Sequence, residues 1–333
     1  MVSSLSVVVC TRDRAQRLGQ TLKSLGEMLI SPGLAVEVVI VDNNSSDDTK
    51  QVVEDFAMAP RLKVRYVLEP HPGLPYARNA GLSAARGQVI AFTDDDCLVD
   101  RRWVHELVRE FNANSDTDMI FGKTKRSTAG QFSLSVKDTE SREYFSYPTV
   151  PWRIGHGNNM AMKRSLVEQI GRFDTGMGAG TRVGAGSDSE YVFRVLRSGR
   201  KILYSPYPVV YHNHDRTALS DARRVRFAYA KGRGALYCKY LLRGDTWSGR
   251  ALVSEFVGSV IRLFTRPEAR VDTLLNLKGL FLGSAYRLFH ESVNLLSRRK
   301  RAKDVQDSKL DNVVSRQTDA TDAEPTSPPP SRL

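Results

Sequence analysis

Three consecutive carboxylates, Asp94-Asp95-Asp96, follow the apolar run Gln88–Phe92. They are the residues whose type and spacing point most directly to chemistry. Alternate carboxylates at the end of a strand can hold a hard divalent cation. Mg2+ or Mn2+ takes one or two protein carboxylates and completes its shell with water and phosphate oxygens. Such an ion neutralises charge on a departing diphosphate. The same three residues also suit a solvated loop whose Asp side chains cap the next helix. The flanking sequence has to decide between the two.

The elements that would position this cluster read as alternating strands and helices. Leu5–Cys10 and Val36–Asp42 are short β-branched runs, and Lys63–Leu68 and Gln88–Phe92 are two further strands. Helices are expected over Ala15–Met28, where Leu18, Leu22 and Leu25 keep helical spacing, and around Thr49–Phe56. Two more are expected over Pro75–Arg86, with Pro near the start, and over Arg101–Phe111. This alternation predicts an α/β domain with a mainly parallel open sheet flanked by helices. The polar loops Thr11–Arg14, Asp42–Asp48 and Thr93–Cys97 each follow a strand. In such sheets the ligand crevice lies beyond the carboxyl ends of the strands, so these loops are expected at one site. Further on, Phe121–Val150 is polar and reads as loop or hairpin, and His156–Met162 leads into a helix at Ser165–Ile170. Asp188–Ser198 reads as a helix, Ile202–Tyr204 and Val209–Tyr211 as short strands.

The chain has 333 residues and a net charge of +12, which invites an anionic partner. The charge is unevenly placed. Residues 1–215 carry 27 basic and 25 acidic side chains, whereas 216–303 carry 19 and 6. The excess therefore belongs to the C-terminal part. There, Leu252, Val253, Phe256, Val257, Val260, Leu263 and Phe264 form one apolar stripe. Leu274, Leu277, Phe281, Ala285, Leu288 and Leu295 form another, and Arg298–Lys303 is a basic run. Amphipathic basic helices of this kind suit an anionic membrane interface. They equally suit a helical subdomain packed on the catalytic part, or a homodimer contact. From Asp304 the chain is polar and proline-rich and is expected to be disordered. The expected organisation is thus 1–215 catalytic, 216–303 basic helical and 304–333 tail. Cys10, Cys97 and Cys238 are far apart and lack CxxC spacing, which argues against a disulfide framework or zinc site and fits a reducing cytosol. No secretory signal is expected at Met1–Leu5, and no uncharged stretch is long enough to span a bilayer.

The segment Gly73-Leu74-Pro75-Tyr76-Ala77-Arg78-Asn79-Ala80-Gly81 through Gly87-Gln88-Val89-Ile90-Ala91-Phe92-Thr93-Asp94-Asp95-Asp96 resembles the signature of glycosyltransferase family 2. That signature is ARNxG, a short helix, a glycine turn and FxDxD. Val9–Arg14 and Val41–Thr49 are similar to the family's first two motifs, in the family's order, and the resemblance covers roughly residues 5–215. It implies a GT-A-type fold and inverting transfer from a nucleotide-diphosphate sugar, with Mn2+ or Mg2+ as cofactor. On the matching positions it implies that Thr11, Asp13 and Arg14 line the nucleotide pocket, although the family often has Asn where Asp13 stands. Asp42 would recognise the base or ribose, its carboxylate suiting a uracil imide, or would cap its own loop. Arg78 would contact the nucleotide or diphosphate, or pair with a nearby carboxylate. Asp94 would face the ribose or sugar with Asp95 beside it, and Asp96 would bind the metal.

Inverting transfer needs a carboxylate near the acceptor hydroxyl as general base. The family places it in a Glu-Asp pair opening a helix, and Gly186-Ser187-Asp188-Ser189-Glu190 matches with Asp188 as the base. Ser187 departs from the family's Glu. Asp188 also suits a helix N-terminus on dipole grounds alone. Ile154–Met160 is similar to the family's Gly- and Asn-containing strand near the donor sugar, which brings Asn158, Asn159 and the nearby Trp152 to the sugar or acceptor side. His212, after the last strand, would help bind the metal or diphosphate, with His214 the lesser candidate. The loop Gly178–Gly184 has GxGxxxG spacing, follows no N-terminal strand and is not a dinucleotide loop. It reads as a loop able to close over donor or acceptor.

The implied partners are a nucleotide-diphosphate sugar and a glycan or lipid-linked acceptor, at the cytoplasmic face of the cell membrane. A Mg2+-dependent phosphotransferase or phosphatase is the competing enzyme class, but its first Asp motif would follow the first strand, where Cys10-Thr11-Arg12-Asp13 stands. An inert scaffold of the same fold is a third reading. Nucleic-acid binding is not expected, since no recognisable module accompanies the charge.

Overall fold

The computed structural model describes residues 1–58, 62–127, 132, 134–214 and 217–293. Among the described residues nine strands form one sheet: β1 (Ser4–Thr11), β2 (Ala35–Asp42), β3 (Lys63–Leu68), β4 (Val89–Asp94), β5 (Cys97–Val99), β6 (Met119–Arg126), β7 (Glu143–Phe145), β8 (Asn159–Lys163) and β9 (Ile202–His212). Their spatial order is β3-β2-β1-β4-β8-β6-β9-β5, with β7 also paired to β9. The β3-β2-β1-β4 half and the β6–β9 pair are parallel, whereas β8, β5 and β7 run antiparallel to their neighbours.

The sheet is buried on both faces, which is why β1 and β2 are continuous apolar runs without alternation. Val7, Val9, Val38 and Ile40 face a core closed by α1 (Ala15–Gly26), α2 (Thr49–Ala57) and α4 (Trp103–Ala113). Val8, Val39, Ile90 and Phe92 face the opposite core with α3 (Leu74–Ala84), α5 (Arg164–Ile170) and α6 (Ser187–Arg197). Gly81 lets α3 close on β1, because a Cβ there would collide with Val8 Cγ1. The order reverses at β1, whose successors β2 and β4 lie on either side. The carboxyl ends of these three strands define the crevice: Cys10 pairs with Asp94 and Thr11 with Asp42.

Several elements depart from the sequence reading. Phe121–Val150 is not all loop: its start lies in β6, and β7 is a short strand within it. The two expected short strands near residues 202 and 211 are one strand, β9, with a register shift opposite Gly122/Lys123 that accommodates Pro206 and Pro208. Beyond the sheet lie α7 (Leu219–Leu241), α8 (Thr246–Thr265) and a helix over 270–293.

The chain divides into two compact units, Met1–Ser284 and Ala285–Leu333. In the first, α7 docks on α6 through a buried charge network. Lys239 Nζ contacts Glu190 Oε1 and lies 2.7 Å from Asp174 Oδ2, and Tyr240 Oη donates to Glu190 Oε1 at 2.7 Å. Of the second, the described part is helical, with Arg287 paired to Glu291 at 2.9 Å. The expected disordered tail over 304–333, the basic run Arg298–Lys303 and Leu295 lie outside the described residues. Among the described residues no helix is long and apolar enough to cross a membrane.

Candidate active site

A cavity of about 440 Å³ opens at the carboxyl ends of β1 and β4. Thr11, Arg14, Arg78, Asp94, Asp95, Asp96, Asn158, Asp188 and His212 all line it, so residues up to two hundred positions apart converge.

The carboxylate cluster forms its floor. Asp95 and Asp96 are buried, at 5% and 6% exposure, and Asp94 is half-buried. Arg14, at the start of α1, spans the pair: its Nη1 lies 2.9 Å from Asp95 Oδ1 and 3.1 Å from Asp96 Oδ2. Burial raises Asp94 and pushes Asp95 up to about 6, with the mutual repulsion of the cluster adding to it and the arginines opposing it.

The donor set fits a hard divalent cation. His212 Nδ1 lies 3.1 Å from the Leu134 carbonyl, which selects the tautomer that leaves Nε2 toward Asp96 Oδ1, 3.4 Å away. Burial alone would lower His212, but the hydrogen bond and charge of Asp96 outweigh it and the imidazole is raised. Cys97 stands within the same cluster, with all three ligand atoms inside 4.8 Å. Burial holds its thiol far above the usual range, so it stays protonated. Asp96 and His212, with Asp94 alongside, are thus an oxygen-rich set with one imidazole, suited to Mn2+ or Mg2+. His214 stands edge-on to His212, with Nε2 at 3.1 Å from the Phe132 carbonyl.

The opposite wall is built by α3, the turn before β8 and the first turn of α6. Arg78 is 3% exposed; its Nη1 donates to Ser187 Oγ at 2.7 Å, its Nη2 is 3.9 Å from Asp94 Oδ1, and its guanidinium lies over Phe173. Ser187, the position where the family has Glu, therefore orients the arginine. Asp188 Oδ2 accepts the Gly157 N–H at 2.9 Å and Oδ1 accepts the Ser189 N–H at 2.8 Å. The bare backbone at Gly157 leaves the arginine its place: a Cβ there would collide with Arg78 Nη2 and stand 3.1 Å from Asp188 Oδ2. Asn158 is buried, receiving Thr124 Oγ1 at 3.2 Å.

Other expected residues lie elsewhere. Asn159 is spent on the core: its Oδ1 accepts Trp103 Nε1 at 2.9 Å, and its Nδ2 donates to the Lys123 and Pro208 carbonyls. Trp152 stands edge-on to Tyr237 at 5.5 Å and beneath Arg233, away from the cavity lining. Asp42 caps its loop, accepting Ser45 N at 2.8 Å and Tyr66 Oη at 2.7 Å. Asp13, at φ 52°, accepts the Ser46 N–H at 2.7 Å, which holds its carboxyl below the usual range and ties the loops after β1 and β2 together. The Gly178–Gly184 loop is pinned by Leu74 N donating to Ala179 O at 2.9 Å.

Sequence reasoning missed several lining residues. His156 is kept neutral by burial, which lowers it. Cys10 is pushed up to about 12, also by burial. Val225, Ala228 and Tyr229 of α7 close the outer side, with Tyr229 Oη 2.7 Å from Ser135 Oγ. Nothing in the composition of the basic helices marks these three, since they face the cavity through the docking of α7, by Lys239 and Tyr240 on α6 and by Lys231 on the Arg182 carbonyl.

The family model described as "Glycosyl transferase family 2" matches residues 6–171. The chain is similar to the succinoglycan biosynthesis protein ExoM of Rhizobium meliloti, 25% identical over 241 residues covering 70% of this chain and 74% of that one. It is similar to the glucosyl-dolichyl phosphate glucuronosyltransferase of Haloferax volcanii, 24% identical over 229 residues and covering 62% of this chain and 68% of that one. In fold it resembles the mannosyltransferase PcManGT from Pyrobaculum calidifontis in complex with GDP-Man and Mn2+, with a TM-score of 0.59, 20% identity and 86% and 87% of the two chains covered. It also resembles S. aureus TarS in complex with UDP, with a TM-score of 0.52, 16% identity and coverage of 86% and 91%. The family match carries the β1, β2, β4 and α3 motifs, while Asp188, His212 and α7 lie beyond it and are joined to the same cavity by the fold. This chain is a nucleotide-sugar-dependent glycosyltransferase with a GT-A-type fold and belongs to glycosyl transferase family 2.

Proposed function

We propose that the protein transfers a sugar, with inversion, from a nucleotide-diphosphate donor (a UDP-sugar in first place) to a hydroxyl of a lipid-linked or growing glycan. The observation that carries this reading is the placement of Asp188 across one cavity from Asp94, Asp95, Asp96 and His212. Asp188 takes the proton of the acceptor hydroxyl, whose oxygen attacks the anomeric carbon from the face opposite the diphosphate. The new glycosidic bond forms as the bond from the anomeric carbon to the phosphate oxygen breaks. No covalent enzyme intermediate is needed. The Gly157 N–H holds the carboxylate that receives the proton. Arg78, fixed by Ser187, meets the diphosphate charge, and Arg14 and Thr11 border the nucleotide. Asp96 and His212 would hold Mn2+ or Mg2+, which supplies Lewis-acid charge neutralisation for the leaving diphosphate. Asn158 borders the sugar; Asp13 and Asp42 shape the nucleotide loop from behind.

Residues 1–215 form the catalytic part, α7 supplies its outer wall through Val225, Ala228 and Tyr229, and α8 supplies a basic surface. Val253, Val257, Val260, Ile261 and Phe264 of α8 are exposed, from 45% to 79%, beside Arg250 and Arg262. That combination supports peripheral attachment to the inner face of the cell membrane.

A melting-temperature panel of nucleotide sugars with and without Mn2+ tests the donor reading. A UDP-sugar raises the melting temperature only with the metal, and Asp96→Ala abolishes the rise. An equal rise in chelator, or in Asp96→Ala, would overturn the metal assignment.

A further inference from the structure

A second cavity of about 240 Å³ lies between α7 and the helix starting at residue 270. Arg223, Arg226 and Arg233 line it, with Asp272 opposite. Arg223 Nε is 2.9 Å from Asp272 Oδ1 and Arg226 Nη1 is 3.6 Å from Oδ2, while Arg233 Nε pairs with Glu255 at 2.9 Å. One carboxylate thus holds two guanidiniums that are 35% and 48% exposed, a weak arrangement that an arriving dianion can replace. Two planar donors around so small a volume, with Arg233 held beside them by Glu255 and Asn276, match a phosphate or diphosphate and leave no room for an oligonucleotide.

Two neighbouring features say what bears that phosphate. Tyr229 lines this cavity and the donor cavity alike, so the two meet at that side chain. Val271 and Leu274, flanking Asp272 and Leu275 along the helix, are more than half exposed. An anion held here therefore lies beside both the reaction cavity and an apolar surface. We infer that this arginine-lined cavity binds the phosphate or diphosphate of a lipid-linked acceptor, with its hydrocarbon along the exposed apolar side of the helix starting at residue 270. The inference rests on the glycosyltransferase reading and adds the acceptor class and its site.

The test titrates farnesyl diphosphate, inorganic pyrophosphate and farnesol into the full chain by calorimetry, in chelator so that no cation bridges a diphosphate into the donor cavity. Farnesyl diphosphate binds, pyrophosphate binds more weakly and competes with it, and farnesol does not bind. Arg223→Gln/Arg226→Gln weakens farnesyl diphosphate about tenfold for each lost charge-assisted contact. Asp272→Asn, which frees both arginines, tightens it. A merely structural ion pair would make both variants worse, so the opposite signs separate the two. Unchanged binding in the double variant, weaker binding in Asp272→Asn, or farnesol binding equal to that of the diphosphate would overturn the inference. Mn2+-dependent UDP binding, measured on the same proteins, stays unchanged. If it failed in every protein while farnesyl diphosphate still bound with the expected signs, the donor reading alone would fall.

Discussion

Gly157→Ala tests whether the wall built from Arg78, Ser187 and Asp188 acts as one constellation. The added Cβ would overlap Arg78 Nη2 and press on Asp188 Oδ2 at 3.1 Å. Arg78 can retreat only into the cavity it lines. It is 3% exposed, bonded to Ser187 Oγ at 2.7 Å, and backed by Phe173, itself 3% exposed. The guanidinium therefore leaves the place from which it is proposed to meet the diphosphate. A hydrogen bond to a charged group is worth about 1.5–3 kcal/mol, and each ~1.4 kcal/mol is tenfold. The expected fall in kcat/KM is about tenfold to about a hundredfold. The assay is steady-state transfer from a UDP-sugar, run beside Arg78→Lys, which keeps the charge but loses the fork. The two variants act on the same contact, so the double variant is no worse than the poorer single one. A Gly157→Ala protein with wild-type turnover and an unchanged melting temperature would refute the reasoning.

Other consequences follow from the same geometry. Burial gives Asp95 a folded value of about 6 against an ordinary 3.8, so in metal-free protein this group favours the folded state at low pH, and its contribution is lost as pH rises from about 4 to 6. Mn2+ held beside it by Asp96 and His212 favours the ionised Asp95 carboxylate, so the metal-induced rise in melting temperature grows between pH 5 and pH 7; a rise independent of pH would contradict the cause assigned. Lys239→Met removes the buried cation between Glu190 and Asp174, leaves Glu190 to Arg194 and Tyr240, and costs about 1.5–3 kcal/mol in chemical unfolding, the worth of a charge-assisted hydrogen bond. A loss below 1 kcal/mol would show that this network does not dock α7. Val257→Glu/Phe264→Glu places two carboxylates on the exposed side of α8 and releases the protein from anionic liposomes in flotation; equal flotation would reject that surface as the membrane contact.

The parts of the fold legible in the sequence are those whose neighbours are local. β1 and β2 are visible because both faces of a central parallel strand are buried, which makes the run itself apolar. β6 is hidden because its second half, Lys123–Arg126, is basic; Lys123 is buried there only by virtue of Glu140, supplied from a loop. β5 has three residues and exists by pairing with β9, a partner more than a hundred positions away. The site divides the same way. Asp94–Asp96 and Arg78 announce themselves because their motifs are contiguous. Asn159 stands in such a motif, yet Trp103 and two carbonyls claim its amide. The roles of Gly157 and Ser187 depend on Arg78 and Asp188 meeting across the cavity, and no local spacing carries that. The C-terminal charge reads as a separate property of residues 216–303, but its composition hides that α7 walls the reaction cavity with Tyr229.

Asp188→Asn bears most directly on the central claim, that one carboxylate in this cavity activates the acceptor while the carboxylate floor and Arg78 hold the donor. The amide keeps the size of the side chain and an acceptor oxygen for the Gly157 N–H but cannot take a proton. Measured together by calorimetry and by transfer to acceptor, the variant binds UDP and Mn2+ as the wild type does and loses transfer by at least about a hundredfold. Transfer at the wild-type rate would contradict the account.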